Sequence, residues 1–132
     1  MYKTILCAIE ASPEGKEVLA KAAKLAALYG SKLLVIHVLS YSILPKDYQK
    51  ELKKEIAPKV YEILKSVGVP QKDCFIKTGK PYSRICREAE KRNADLIILG
   101  THSKKGVRNM LGSTAHGVCN YAKCDVTLFR IC

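Results

Sequence analysis

Tryptophan is absent from the 132-residue chain, and phenylalanine occurs only twice. Single-stranded nucleic acid is commonly held by bases stacking on such rings, so no Phe/Trp platform is available. RNP and helix-turn-helix patterns are missing as well. No apolar run approaches the ~20 residues of a membrane-spanning helix. Met1 to Lys3 leads straight into Thr4-Ile5-Leu6-Cys7-Ala8, too short for a signal-peptide core with its cleavage site. The expectation is a cytoplasmic protein of one domain, residues 1–132, with no membrane partner. None of the cysteines (Cys7, Cys74, Cys86, Cys119, Cys124, Cys132) forms a C-x-x-C pair. No metal site is therefore predicted, and reduced, buried thiols are expected, with Cys132 the best candidate for an exposed one. Nucleophile-elbow G-x-S-x-G, Walker A and SGGxxS loops are also missing, so no catalytic residue is assigned. Acidic residues are scarce, 12 against 23 Lys and Arg, for a net charge of +11. That balance favours anions without choosing among them.

What is present is concentrated between Asp95 and Ala115. Leu96 to Leu99 is a consecutive apolar run closed by Gly100, as in a strand buried on both faces. A polar stretch follows, THSKKGVRNM, carrying Lys104, Lys105 and Arg108. Gly112, Ser113 and Thr114 then lead into a helical segment. Glycine lets backbone amides approach an anion, and a helix N-terminus offers unpaired N–H groups and partial positive charge. Ser113 is placed either to cap that helix or to bond a phosphate oxygen. A solvated basic loop is the plain alternative for the three cations.

This corner resembles the nucleotide-binding motif of the universal stress protein family: Gly, two residues, Gly, nine residues, Gly, then Ser or Thr. Gly100, Gly112 and Ser113 match. Ser103 replaces the second Gly, and eight residues rather than nine separate it from Gly112. The resemblance implies ATP as the ligand, with or without magnesium. Ser103, Gly112, Ser113 and Thr114 are expected to bind the phosphates through main chain and hydroxyls, with Ala115 next to them in the nucleotide-binding set. Ala8, Ile9, Leu99 and the backbone at Val38 would line the adenine side, with Gly100 at the strand end. His102 would reach ribose or phosphate, and Lys104, Lys105 and Arg108 would attract the anion from further away. Glu10 stands where the family has an adenine-contacting Asp; it reads equally as a capping or surface carboxylate.

Along the chain, Lys3 to Ile9 reads as a strand, and Ser12-Pro13 as a cap and first turn. The helix that follows runs to Tyr29, with Val18, Leu19, Ala22, Ala23, Ala26 and Tyr29 on one face and Gly30 closing it. Lys32 to Leu39 is a second strand, in which His37 reads as a satisfied core histidine. Asp47 to Val67 is helical, with a kink or break expected at Pro58. Cys74 to Thr78, Pro81 to Arg92 and Asp125 to Ile131 read as strand, helix and last strand. The succession of helix-linked strands makes a doubly wound α/β sheet of parallel strands with helices on both faces. The resemblance, covering the whole chain, implies five strands in the order 3-2-1-4-5 and a homodimer through Asp125 to Ile131.

Three functions are compatible with these residues. The first is a regulatory ATP-binding stress protein, at most a slow hydrolase. The second is a nucleotide-free dimeric interaction module of the same family, favoured by Ser103 and the shortened loop. The third, nucleic-acid binding through the basic surface, is disfavoured by the missing aromatic platform.

Overall fold

The computed structural model describes residues 1–40, 45–102 and 112–131. Five strands, β1 (Thr4–Ala8), β2 (Lys32–Leu39), β3 (Cys74–Thr78), β4 (Leu96–His102) and β5 (Asp125–Ile131), alternate with four helices. These are α1 (Pro13–Tyr29), α2 (Lys46–Val67), α3 (Pro81–Lys91) and α4 (Ser113–Tyr121). All strand pairs are parallel, in the order β3-β2-β1-β4-β5. This is the doubly wound order that the family resemblance implies.

Strand periodicity divides the core between the two faces. On β1, Ile5 and Cys7 point to the layer holding Val18, Leu19 and Ala22 of α1 and Val60 and Leu64 of α2. Leu6 points to the other layer, with Ile85 and Ala89 of α3 and Val118 of α4. Ile5, Leu6, Leu19 and Ile97 are completely buried, and each such side chain contributes about 1.5–3 kcal/mol by leaving water.

Local signals set the helix ends. Ser12 Oγ accepts from the Gly15 N–H at 3.3 Å, capping α1. Gly30 closes that helix at φ 64°, while Ser31 N–H donates to Ala26 O. Asn93 performs the same left-handed turn after α3 at φ 56°, followed by the Ala94 N–H to Ala89 O bond.

The structure departs from the sequence expectations at Tyr29 and at the end of β4, and it excludes a break at Pro58. α2 continues through Pro58 without a break; Pro58 and Lys54 are both exposed, so water can satisfy the Lys54 carbonyl that proline leaves unbonded. Tyr29 is 41% exposed and meets Tyr2 edge to face at 5.5 Å rather than entering the core. β4 runs on to His102, because Gly100, Thr101 and His102 pair in register with Phe129, Arg130 and Ile131. Among described cysteines the exposed one is Cys119; Cys132 lies outside the described residues. Cys7 and Cys74 are held protonated by burial, the latter pushed up to about 11. No described helix is long and apolar enough to cross a membrane.

Asp95 fastens the start of β1 to β4. Its carboxylate accepts from the Lys3 and Thr4 N–H groups, both at 3.0 Å, and its own N–H donates to Thr4 O. The Lys3 amide above all, then that of Thr4, holds the Asp95 carboxyl below its ordinary value. A carboxylate with a depressed folded-state pKa stabilises above its unfolded value, and that contribution disappears as pH falls through the folded value. Asp95→Asn is therefore expected to lower Tm at neutral pH and to lose less further stability than wild type below about pH 4. Thermal melts across pH check this; parallel curves for the two proteins would refute it. In a Cys132→Ser background, Cys119 is expected to react first with an aromatic disulfide reagent, and Cys7 and Cys74 only on denaturation.

Candidate functional site

β1 is the strand at which the winding reverses. Chain leaving β1 goes to β2 on one side, and chain returning from β3 goes to β4 on the other. The connections after β1 and β4 therefore diverge at the carboxyl edge and leave a crevice there. A hollow of about 280 Å³ occupies that place.

The end of β1 supplies Ala8, Ile9 and Glu10, and β2 supplies Val38. Leu99 and Gly100 come from β4, and Thr114 from the first turn of α4. The fold thus brings these seven sequence-selected residues to one hollow. Gly112 and Ser113 stand exposed beside Thr114 at the start of α4, without lining the hollow. Ala115 is buried in the core beneath α4 instead. His102 has its backbone opposite Ile131 in β4; its side chain, and all of Ser103, Lys104, Lys105 and Arg108, lie outside the described residues.

Ser113 does not cap α4. Gly112 occupies the cap position, no side chain among the described residues closes it, and Ser113 is the first helical residue. The first helical bond runs from His116 N–H to Gly112 O at 2.9 Å. The Ser113, Thr114 and Ala115 N–H groups thus have no intrahelical acceptor, in a helix whose first turn carries no acidic residue. This end has the polarity of an anion site. Glu10 does not cap α1 either, since Ser12 does so; Glu10 is exposed at the hollow, 3.5 Å from the Ser12 hydroxyl.

Two of the glycines lining the hollow are required by close approach. A Cβ on Gly15 would fall on the Glu10 carbonyl, so this residue lets α1 start tight against the end of β1. A Cβ on Gly100 would lie 2.5 Å from Ile131 Cδ1 and 2.7 Å from Val18 Cγ2. Gly100 thus has a packing reason independent of any ligand.

Sequence reasoning missed Gly15, Val18, His37, Ser40, Pro81 and Ile131 as lining residues. Gly15 was recoverable from its place three residues after the Ser12 cap, and Ser40 from its position after the strand. His37 is satisfied, as expected, but half-buried at the hollow rather than in the core: its Nδ1 donates to Ile9 O at 2.8 Å. A carbonyl only accepts, so Nδ1 carries a proton in this contact. Ile131 and Pro81 reach the hollow from remote parts of the chain, which no local pattern announces.

A parallel sheet in this order, with helices on both faces and a hollow at the switch point, defines the class of doubly wound α/β domains. Within that class the chain belongs to the universal stress protein family, whose model matches residues 1–130. It is 34% identical over 137 residues to universal stress protein A homolog 1 of Coxiella burnetii, covering 95% of this chain and 94% of that protein. Its fold matches the universal stress protein from Archaeoglobus fulgidus with a TM-score of 0.70 at 26% identity, covering 97% and 93% of the two chains. It also matches a universal stress protein solved in complex with cAMP, with a TM-score of 0.71 at 20% identity, covering 98% and 97%.

Gly100→Val is expected to lower stability by about 1–3 kcal/mol through overpacking against Val18 and Ile131. Gly112→Val, where added atoms meet open space at an ordinary φ of −59°, is expected to leave stability unchanged. Chemical denaturation of both variants without ligand separates the two glycines; equal losses would refute the distinction.

Proposed function

We propose that the hollow receives the nucleoside part of ATP and that the protein is a cytoplasmic regulatory nucleotide binder rather than an enzyme. The observation that carries this reading is the hollow's continuity with the uncapped N-terminus of α4, through Thr114. A volume of about 280 Å³ is near the lower end of ligand pockets, ~300–1,000 Å³. It suits a base and sugar, with the phosphates lying outside over the α4 amides. Ala8, Ile9 and Leu99 offer apolar contact to the base, Val38 offers strand-end backbone groups, and Glu10 is placed for a polar ligand edge. Ser113 and Thr114 supply hydroxyls and amides to the phosphates. Ser103, Lys104, Lys105 and Arg108 add polar contact and positive charge, with or without magnesium on the triphosphate. The relative solved with cAMP supports a nucleotide on this fold. β5, the edge strand, pairs two copies in this reading, and nucleotide occupancy biases the dimer toward a partner protein.

One observation favours a second reading, a nucleotide-free dimeric module. Gly100 is demanded by Val18 and Ile131, so its presence does not by itself report a phosphate.

Calorimetry with ATP and magnesium tests the choice. Wild type is expected to bind, and Gly112→Val to bind at least tenfold more weakly with unchanged Tm. Unmeasurable binding by wild type at millimolar ATP, together with no 260 nm absorbance excess in the purified protein, would establish the second reading instead.

A further inference from the structure

The positive charge of this protein is not spread evenly. On α1, Lys16, Lys21 and Lys24 alternate with Glu14 and Glu17, and Lys21 lies 3.9 Å from Glu17. On α2, the lysines are interleaved with Asp47, Glu51, Glu55 and Glu62. α3 differs. Lys80, Arg84, Arg87 and Lys91 follow one another at steps of four, three and four residues, which sets them on one side of the helix. Lys80, Arg87 and Lys91 are exposed and Arg84 is half-buried. Ile85, Cys86 and Ala89 face the core from the opposite side. The row is about 16 Å long at 1.5 Å per residue.

Neither acid of α3 neutralises it. Glu88 is buried and binds Arg92 Nε at 2.9 Å, and Glu90 binds Lys123 Nζ at 2.9 Å. Lys77 on the edge strand β3 adds a fifth cation beside α3. Among the described residues none of the five has a carboxylate partner, and Arg84 Nε is buried with no hydrogen-bond acceptor.

π-faces lie at both ends. α4 approaches α3 so closely that a Cβ on Gly117 would strike the Tyr82 ring. Tyr121 stacks on Tyr82 with ring centres 5.4 Å apart and remains 64% exposed, while Lys80 Nζ lies 5.7 Å from the Tyr82 centroid. Beyond the other end, the Arg92 guanidinium lies 4.0 Å over the Phe75 ring.

We propose that the α3 row, with Tyr121 at its flank, binds the phosphodiester backbone of single-stranded nucleic acid. Phosphates neutralise the unpaired cations, and a base stacks on the exposed Tyr121 ring. An acidic polypeptide would satisfy the charges but would give the exposed ring no base to stack. None of the five cations lines the hollow, and the proposal does not depend on the nucleotide reading. Tyrosines from two helices make the platform that the scarcity of Phe and Trp argued against.

The test is fluorescence anisotropy with a labelled oligothymidylate of about 15 nucleotides, the upper range of single-strand site sizes, titrated against salt. Each phosphate neutralised on a single strand contributes about −0.7 to the slope of log K against log salt. Five cations predict a slope of about −3.5, and about a hundredfold loss of affinity between about 50 and 200 mM salt. Combining Arg84→Gln, Arg87→Gln and Lys91→Gln is expected to cost at least tenfold at the lower salt and to bring the slope to about −1.4. Lys46→Gln, Lys50→Gln and Lys54→Gln together remove the same charge from α2, on the opposite sheet face, and should change affinity less than twofold. Tyr121→Ala should cost about tenfold, within the range of one base stack, with the slope unchanged. Absence of binding at the lower salt, equal losses in the two triple variants, no effect of Tyr121→Ala, or equal or tighter binding of poly-glutamate would each overturn the proposal.

Discussion

The pairing of β1 with β2 on one side and β4 on the other governs the rest of this structure. A central parallel strand has both edges hydrogen-bonded and both faces covered, which is why Ile5, Leu6 and Cys7 are all completely buried. Crossovers of one hand then carry the chain to opposite sides of the sheet in its two halves. The connections diverge at the carboxyl edge, and the hollow is the space they leave. Asp95 supports this arrangement from the amino edge, where one side chain and its own amide bond β1 directly to the start of β4.

The hollow is shaped by omitted atoms as much as by residues placed there. Gly15 lets α1 begin against the Glu10 carbonyl, and Gly100 lets Val18 and Ile131 close in beside β4. Gly112 differs: among the described residues nothing crowds it, and no side chain caps the helix end at which it stands. A motif of spaced glycines therefore combines two physical demands. Packing accounts for Gly100 in this chain, whereas Gly112 marks the polar end of α4. The proposed phosphate contacts rest on that second part.

Charge obeys a similar division. On α1 and α2, lysines and acids share the helical surface, as solvated helices ordinarily do. On α3 the acids are withdrawn, Glu88 into a buried bond with Arg92 and Glu90 into a bond with Lys123. Lys80, Arg87 and Lys91 are left exposed with no carboxylate partner among the described residues. Net charge reports the sum; only side-chain pairing reports where it is uncompensated.

Element type and order were legible in the chain because they depend on neighbours in sequence. The consecutive apolar residues of Leu96 to Leu99, the Ser12-Pro13 start and the Gly30 stop each work within a few residues. Misreadings occurred where distant contacts intervene. β4 extends to His102 because β5 offers partners, and Tyr29 turns outward to meet Tyr2. Of the site, the strand ends and the glycine–serine corner were readable, since crevices in such sheets lie at carboxyl edges. His37, Pro81 and Ile131, the collision that keeps position 100 a glycine, and the tyrosine stack beside the α3 row were not readable. Sequence by itself determined the elements, their succession and which short segments meet the ligand edge, because period and capping are local. Only tertiary structure decided which side chains face the hollow and which charges stay unpaired, because both depend on residues brought together from remote parts of the chain.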